Sequence, residues 1–307
     1  MRSQLCLSSL ASRIPVRFQE PMRFWNTWGV GGIAKAVMPI TSESALAEVR
    51  RASSDAGDRL FILGEGSNVL VLDGGIDGWV ILLRDDPSPP EIVRSWGNSV
   101  EIRVSAGYPL RRLVNWSVRR CLSGLEFAVG IPGTVGGAVA GNAGAQGRSI
   151  GDLVSFVRTL EADGTFSDWG KGDLTFAYRS SPFAGGTFWV TSVGLVLSLS
   201  SDGLVRQRLR HFASLRKGQP KNSRTAGCVF KNPPGGSAGL MLDSAGCKGL
   251  SVGGAMVSRE HANFIENLGD ATSDDILKLI DICRSRVRDQ FGVNLELEIK
   301  VIGDGAL

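Results

Sequence analysis

The 307-residue chain carries 34 basic and 30 acidic side chains, a net charge of +4, without the concentrated basic stripe of a nucleic-acid surface. Hydrophobic residues make up 43% and charged residues 21%, which excludes a disordered chain and supplies enough core for two or three domains. Forty glycines, about 13% against a usual ~7%, follow no collagen-like period and point to tight turns and close backbone approach to ligands.

Five cysteines (Cys6, Cys121, Cys228, Cys247 and Cys283) are odd in number, widely spaced and without a CxxC, a pattern that fits free thiols in a reducing compartment. The two histidines, His211 and His261, lie fifty residues apart, so no zinc spacing passes through them and no metal is expected. No apolar run reaches the ~18 residues of a membrane span, and no membrane insertion is expected. The first nineteen residues hold arginine and serine but no acid. They read as an ordinary N-terminal helix rather than a cleaved targeting segment, so a cytoplasmic location follows.

In chain order, Ile33–Pro39 reads as a strand, Ser42–Ala56 as an amphipathic helix and Leu60–Leu63 as an apolar strand. Strands are also expected over Val69–Leu72, after Gly64–Asn68, and over Trp79–Leu83, after the turn Asp73-Gly74-Gly75. A proline-rich stretch, 87–90, makes a plausible boundary. Val100–Ser105 alternates, and Pro109 suits the first turn of a helix running to about Cys121, with Gly124 as its stop. Gly130–Gly147 contains seven glycines and no charge, and no regular helix is expected there. Strand patterns return at Leu153–Leu160 and Phe188–Leu199, then helical composition at Leu204–Lys217. Ile276, Ile280, Cys283, Val287 and Phe291 recur at helical spacing, with Thr272 or Ser273 to cap and Gly292 to terminate. Finally Leu295, Leu297, Ile299 and Val301 alternate with charged residues as a half-buried strand.

Two segments carry the chemistry. Gly64-Glu65-Gly66-Ser67-Asn68 lies between two apolar strands, where successive backbone N–H groups can form a nest for a phosphate. It is neither a dinucleotide GxGxxG, since a strand follows it, nor a P-loop. Gly130-Ile131-Pro132-Gly133-Thr134-Val135-Gly136-Gly137 is long and uncharged, and its small side chains would let an extended cofactor lie directly on backbone.

These segments, with Asn26–Gly32, Tyr178-Arg179-Ser180, Gly227–Pro233, Ser258–Phe264 and Leu295–Ile299, occur in an order that resembles UDP-N-acetylenolpyruvoylglucosamine reductases. The resemblance runs from about Asn26 to Gly303. It implies an α+β chain with a FAD-binding fold of the vanillyl-alcohol oxidase type, in two subdomains over 1–84 and 85–203. A C-terminal α+β substrate-binding domain would cover 204–307, its last strand returning Glu298 to the active site. Only eight residues separate Arg179 from Phe188, too few for the substrate-clamping loop of one branch, so the loop-lacking branch is the better match.

The activity implied is reduction of the enolpyruvyl ether of UDP-N-acetylglucosamine by NADPH through non-covalent FAD, for peptidoglycan synthesis, by a monomer. Gly64, Glu65, Gly66, Ser67 and Asn68 would hold FAD mainly at its pyrophosphate. Gly130, Ile131, Pro132, Gly133, Thr134, Gly136 and Gly137 would form the rest of its bed. Arg179 matches the arginine that binds the substrate carboxylate. Glu298 matches the acid beside it, either protonated or orienting the arginine. Cys228 falls at the position of the proton donor, often a serine. Tyr178, Lys231, Asn232 and His261 match substrate or nicotinamide contacts. Two other readings compete: another FAD-dependent alcohol or sugar oxidoreductase on the same scaffold, and a non-catalytic UDP-sugar-binding protein. The absence of histidine from residues 1–210 leaves the former no tether for a covalent flavin.

Overall fold

A computed structural model describes residues 2–305. The elements run α1 (Arg2–Ala11), β1 (Arg17–Pro21), β2 (Ile33–Pro39), α2 (Glu43–Ala56), β3 (Arg59–Leu63), β4 (Val69–Val71), β5 (Ile76–Leu82), β6 (Glu91–Trp96), β7 (Ser99–Ser105), α3 (Leu110–Arg119) and β8 (Leu122–Ser123). Next come α4 (Val135–Ala140), β9 (Gly144–Ala145), β10 (Arg148–Ser149), β11 (Val154–Leu160), β12 (Phe166–Gly170), β13 (Trp189–Leu199) and α5 (Asp202–Ser214). The chain closes with α6 (Ala238–Ser244), β14 (Ser251–Val252), β15 (Ala255–Val257), β16 (Ile265–Asn267), α7 (Ser273–Phe291) and β17 (Lys300–Ile302).

These elements form two compact units: residues 1–17, 36–65 and 78–217, and residues 18–35, 66–77 and 218–307. This division differs from a straight cut into 1–84, 85–203 and 204–307. Trp28, Val30 and Leu70, early in sequence, bury their side chains in the same core as Phe230, Leu279 and Val287. The hydrophobic effect follows buried area, not chain order.

The first unit has two cores. In one, β3 and β5 pair in parallel, Leu60 opposite Trp79 through Leu63 opposite Leu82. Leu46, Ala47 and Val49 of α2 bury there with Leu7 and Leu10 of α1. Ser42 caps α2 by accepting from the Ala45 N–H, and Gly57, at φ 72°, ends it in the left-handed region. The other core lies on an antiparallel sheet ordered β12-β11-β13-β7-β6. It is filled by Ile102, Val104, Val193 and Leu195 from the strands and by Leu113 and Val114 of α3.

The second unit is built on α7, packed over the three-stranded meander β14-β15-β16. A reciprocal cap starts this helix: Thr272 accepts from Asp275 N–H while the Asp275 carboxylate accepts from Thr272 N–H. Gly292, at φ 68°, ends it. β4 pairs in parallel with β17, Val69 opposite Lys300 through Val71 opposite Ile302. Phe230, 2% exposed, is a central core side chain of this unit, and its burial is worth about 1.5–3 kcal/mol.

Two local expectations are corrected. Val135–Ala140 is helical despite Gly136 and Gly137. A Cβ on Gly136 would stand 2.7 Å from the Ala106 Cβ, so only glycine lets this turn of helix pack so closely on the end of β7. That contact offsets a propensity cost of about 1 kcal/mol per glycine. The strand expected over Leu295–Val301 is interrupted: Leu297 makes a single bridge to Phe230, and regular pairing resumes only at Lys300.

Candidate active site

In the first unit Gly64 and Glu65, which open one glycine-rich segment, meet the other. The Glu65 carboxylate accepts from the Gly133 N–H at 2.9 Å, tying one segment to the other. Thr134 is the N-cap of α4, its Oγ1 accepting from the Gly137 N–H at 3.3 Å. A Cβ on Gly64 would lie 2.6 Å from that Oγ1, so the backbone at 64 is laid directly on the cap. Gly130 and Gly133 have φ of 74° and 117°, which L-residues rarely adopt. Beyond them Pro132 and Gly137 are exposed, and a Cβ on Gly137 would meet nothing nearer than 3.5 Å. The result is a bare backbone shelf edged by Gly64, Gly133 and Gly137. It fits a large flat or extended cofactor lying on main chain.

Tyr178 and Arg179 occupy the centre of a tight turn in the same unit. Ala177 and Ser180 exchange both backbone hydrogen bonds across it, at 3.1 and 3.0 Å. Arg179 sits at φ 53° and is half-buried, with its guanidinium 5.2 Å from the Tyr178 ring centroid. A left-handed arginine is held only where its surroundings over-determine it. Asn142, absent from the sequence-level candidates, does this holding: its Nδ2 donates to the Ala177 carbonyl at 2.7 Å and its Oδ1 accepts from Gly151 N–H at 3.1 Å. Asparagine tolerates the φ of 42° required there, the one signal that could have marked it.

The second unit gathers Gly66, Ser67, Asn68, Cys228, Lys231, Asn232, His261 and Glu298. Gly66, at φ 64°, packs where a Cβ would stand 2.3 Å from the Trp25 carbonyl oxygen. Asn68 Nδ2 donates to the Glu298 carbonyl at 3.1 Å, and the Asn68 carbonyl accepts from Lys300 N–H at 3.0 Å. Asn68 thus bonds the main chain on both sides of Ile299, next to Glu298. The segment around Cys228 runs beside Glu298: Glu298 N–H donates to the Val229 carbonyl at 2.8 Å, and Lys231 N–H to the Glu296 carbonyl at 2.9 Å. Glu298 is half-buried while Glu296 and Lys300 are exposed, so the three do not form the evenly solvated face that their alternation suggests. The Cys228 thiol is likewise half-buried.

Of the contact residues, Lys231 reaches the exposed Glu296 carboxylate at 3.2 Å, and the Asn232 Oδ1 accepts from the Ala238 N–H at 3.0 Å. His261 Nδ1 accepts from the Asn263 N–H at 3.2 Å. Burial first, then the Lys248 charge, pull its pKa below the ordinary 6.5, outweighing the opposing pull of Asp243. Among the described residues no group of three or more His, Cys, Asp or Glu could hold a metal, and no helix is long and apolar enough to cross a membrane.

Comparison with known proteins finds two family models along the chain. Residues 34–169 match the family model described as FAD binding domain. Residues 219–302 match the C-terminal domain of UDP-N-acetylenolpyruvoylglucosamine reductase. The chain is 40% identical to the UDP-N-acetylenolpyruvoylglucosamine reductase of Heliobacterium modesticaldum, over 93% of this chain and 90% of that one. It is 38% identical to UDP-N-acetylenolpyruvoylglucosamine reductase 2 of Symbiobacterium thermophilum, over 94% and 92%. Among solved structures, the UDP-N-acetylenolpyruvylglucosamine reductase of Thermus caldophilus superposes with a TM-score of 0.77 at 38% identity, covering 94% of this chain and 98% of that one.

Proposed function

The chain belongs to the UDP-N-acetylenolpyruvoylglucosamine reductase family, and from that premise we propose that Arg179, Cys228 and Glu298 carry the reduction of the enolpyruvyl ether of UDP-N-acetylglucosamine to UDP-N-acetylmuramate. The enzyme is a FAD-dependent oxidoreductase of peptidoglycan precursor synthesis, with NADPH as reductant. When bound, FAD would supply the hydride chemistry that links NADPH to C3 of the enolpyruvyl group. Gly64, Glu65, Gly66, Ser67 and Asn68 hold the flavin nucleotide at its pyrophosphate, and Gly130, Ile131, Pro132, Gly133, Thr134, Gly136 and Gly137 form its bed.

The protein side chains then manage charge and one proton. As C3 gains its hydride, negative charge collects on the substrate carboxylate. The fixed guanidinium of Arg179, planar and permanently charged, neutralises it. Glu298 acts at the same end of the substrate, either as a protonated acid or by orienting the arginine, because an unpaired ionised carboxylate there would repel the growing charge. Cys228 holds the proton that closes the reaction at C2. Tyr178, Lys231, Asn232 and His261 bind the UDP-sugar or the nicotinamide. Residues 34–169 serve the flavin and 219–302 the UDP-sugar, in a cytoplasmic monomer.

The observation that supports this reading most is the lacing of the Cys228–Lys231 segment to Glu296–Glu298 by main-chain hydrogen bonds. An oxidase on the same scaffold has no use for that pairing. The test is rapid-mixing kinetics on flavin-loaded Cys228→Ser and Cys228→Ala. The serine variant keeps substantial activity, since a hydroxyl can occupy the same place. The alanine variant takes up hydride from NADPH normally but passes it to substrate slowly. An alanine variant that reoxidises with substrate as fast as the parent would remove Cys228 from the mechanism.

A further inference from the structure

We propose that Asn263 is a positioning residue for the proton donor, fixing the peptide segment from which the Cys228 thiol projects; this rests on the assignment of Cys228 made above. The segment belongs to no regular strand. It touches its neighbours through two isolated bridges, Cys228 to Phe264 and Phe230 to Leu297. Between these bridges Val229 and Phe230 are held by one residue, Asn263. Phe230 N–H donates to Asn263 Oδ1 at 2.9 Å, Asn263 Nδ2 donates to the Phe230 carbonyl at 2.8 Å, and Val229 N–H donates to the Asn263 carbonyl at 2.9 Å. Asn263, Val229 and Phe230 are 3%, 1% and 2% exposed, so water cannot replace any of these bonds.

At neutral pH a primary amide can accept from the N–H and donate to the carbonyl of one residue at once. Aspartate accepts but does not donate when ionised, and a hydroxyl is too short for both. The same clamp reaches the second proposed acid, because the carbonyl of Val229 accepts from Glu298 N–H at 2.8 Å. Asn263 is itself anchored from behind, its own N–H donating to His261 Nδ1. Two reacting groups on different stretches of chain are thereby set by one buried side chain. A donor displaced by about 1 Å costs on the order of 100-fold in rate, which makes such a clamp a kinetic device as well as a packing one.

The test uses the full-length, flavin-loaded protein carrying Asn263→Asp. At neutral pH the variant accepts Phe230 N–H but sets a charge against the Phe230 carbonyl. Reoxidation by the UDP-sugar enolpyruvyl ether is expected to slow about 100-fold, with flavin reduction by NADPH within a factor of two or so of the parent. The slowed step recovers as pH falls, when the carboxyl regains a proton and donates to the carbonyl again; burial moves that recovery above the usual carboxylate range. In a Cys228→Ala background the substitution adds little, because both changes act on one step.

Equal slowing of the two half-reactions, or costs that simply add in the Cys228→Ala background, would overturn the positioning role. Failure of the donor assignment reads differently: Cys228→Ala alone then keeps the parent's reoxidation rate. If the aspartate variant does not fold, Asn263→Ser is measured in its place. Failure of both to fold would assign Asn263 to folding alone and overturn the proposal.

Discussion

Gly64→Ala tests the flavin shelf where it is most tightly built. The added Cβ would stand 2.6 Å from Thr134 Oγ1 and 3.2 Å from its Cγ2, and the first distance is too short for the side chain to stay where it is. Thr134 is 2% exposed and caps α4, so it cannot swing away without giving up its bond from Gly137 N–H. Loss of such a cap costs about 1 kcal/mol, and overpacking a filled site adds about 1–3 kcal/mol. The apoprotein is therefore expected to lose about 2–4 kcal/mol in urea unfolding followed by tryptophan fluorescence. FAD affinity falls with it. Thr134→Ala removes both offending atoms and leaves the Thr134 Cβ position 3.4 Å away, an ordinary contact. The double variant should then be about as stable as Thr134→Ala alone, a loss of about 1 kcal/mol. A Gly64→Ala protein as stable as the parent, or a double variant with additive losses, would refute this reasoning.

Three further outcomes are expected. Arg179→Lys keeps the charge but loses the planar fork that can hold a carboxylate in two hydrogen bonds, so rapid mixing should show slow reoxidation by substrate and normal reduction by NADPH. Asn142→Ala leaves the Gly151 N–H without this partner and the Ala177 carbonyl with its bond from Ser180 N–H, so a loss of about 1–3 kcal/mol is expected in urea unfolding. Because the folded protein holds the His261 pKa below the ordinary 6.5, the unfolded chain binds more protons as pH falls. The stability His261 contributes is therefore complete above about pH 6.5 and is lost as pH drops through the lowered folded value. Unfolding titrations between neutral and mildly acidic pH check it, since His261→Gln should flatten that limb.

Periodicity located the long elements well. The α7 stripe from Ile276 to Val287, its Thr272 cap and its Gly292 stop all stand in the structure as their spacing indicates. What local sequence hid was set by contacts distant in the chain. Gly136 and Gly137 argue against a helix until Ala106 is seen packed against that turn. Pro109, expected inside the first turn of α3, occupies the N-cap instead, and α3 ends at Arg119, well before Gly124. The strand Glu91–Trp96 escaped notice because it is exposed along its whole length and has no apolar face. Of the proposed site, the glycine-rich segments and the residues Arg179, Cys228 and Glu298 are readable in the sequence as ordered motifs. Asn142 and Asn263 are not, because an asparagine that braces a distant peptide carries no periodic or compositional mark.

The central claim, a flavoenzyme that moves hydride from NADPH to a UDP-sugar enolpyruvyl ether, is tested most directly on the purified protein. Its visible absorbance is recorded, and NADPH oxidation is then followed with and without that ether. The account predicts a yellow protein whose FAD is released on denaturation, with NADPH oxidation that depends on the ether and forms UDP-N-acetylmuramate in equal amount. A protein that stays colourless after incubation with FAD, or that oxidises NADPH at the same rate whether or not the ether is present, would contradict it.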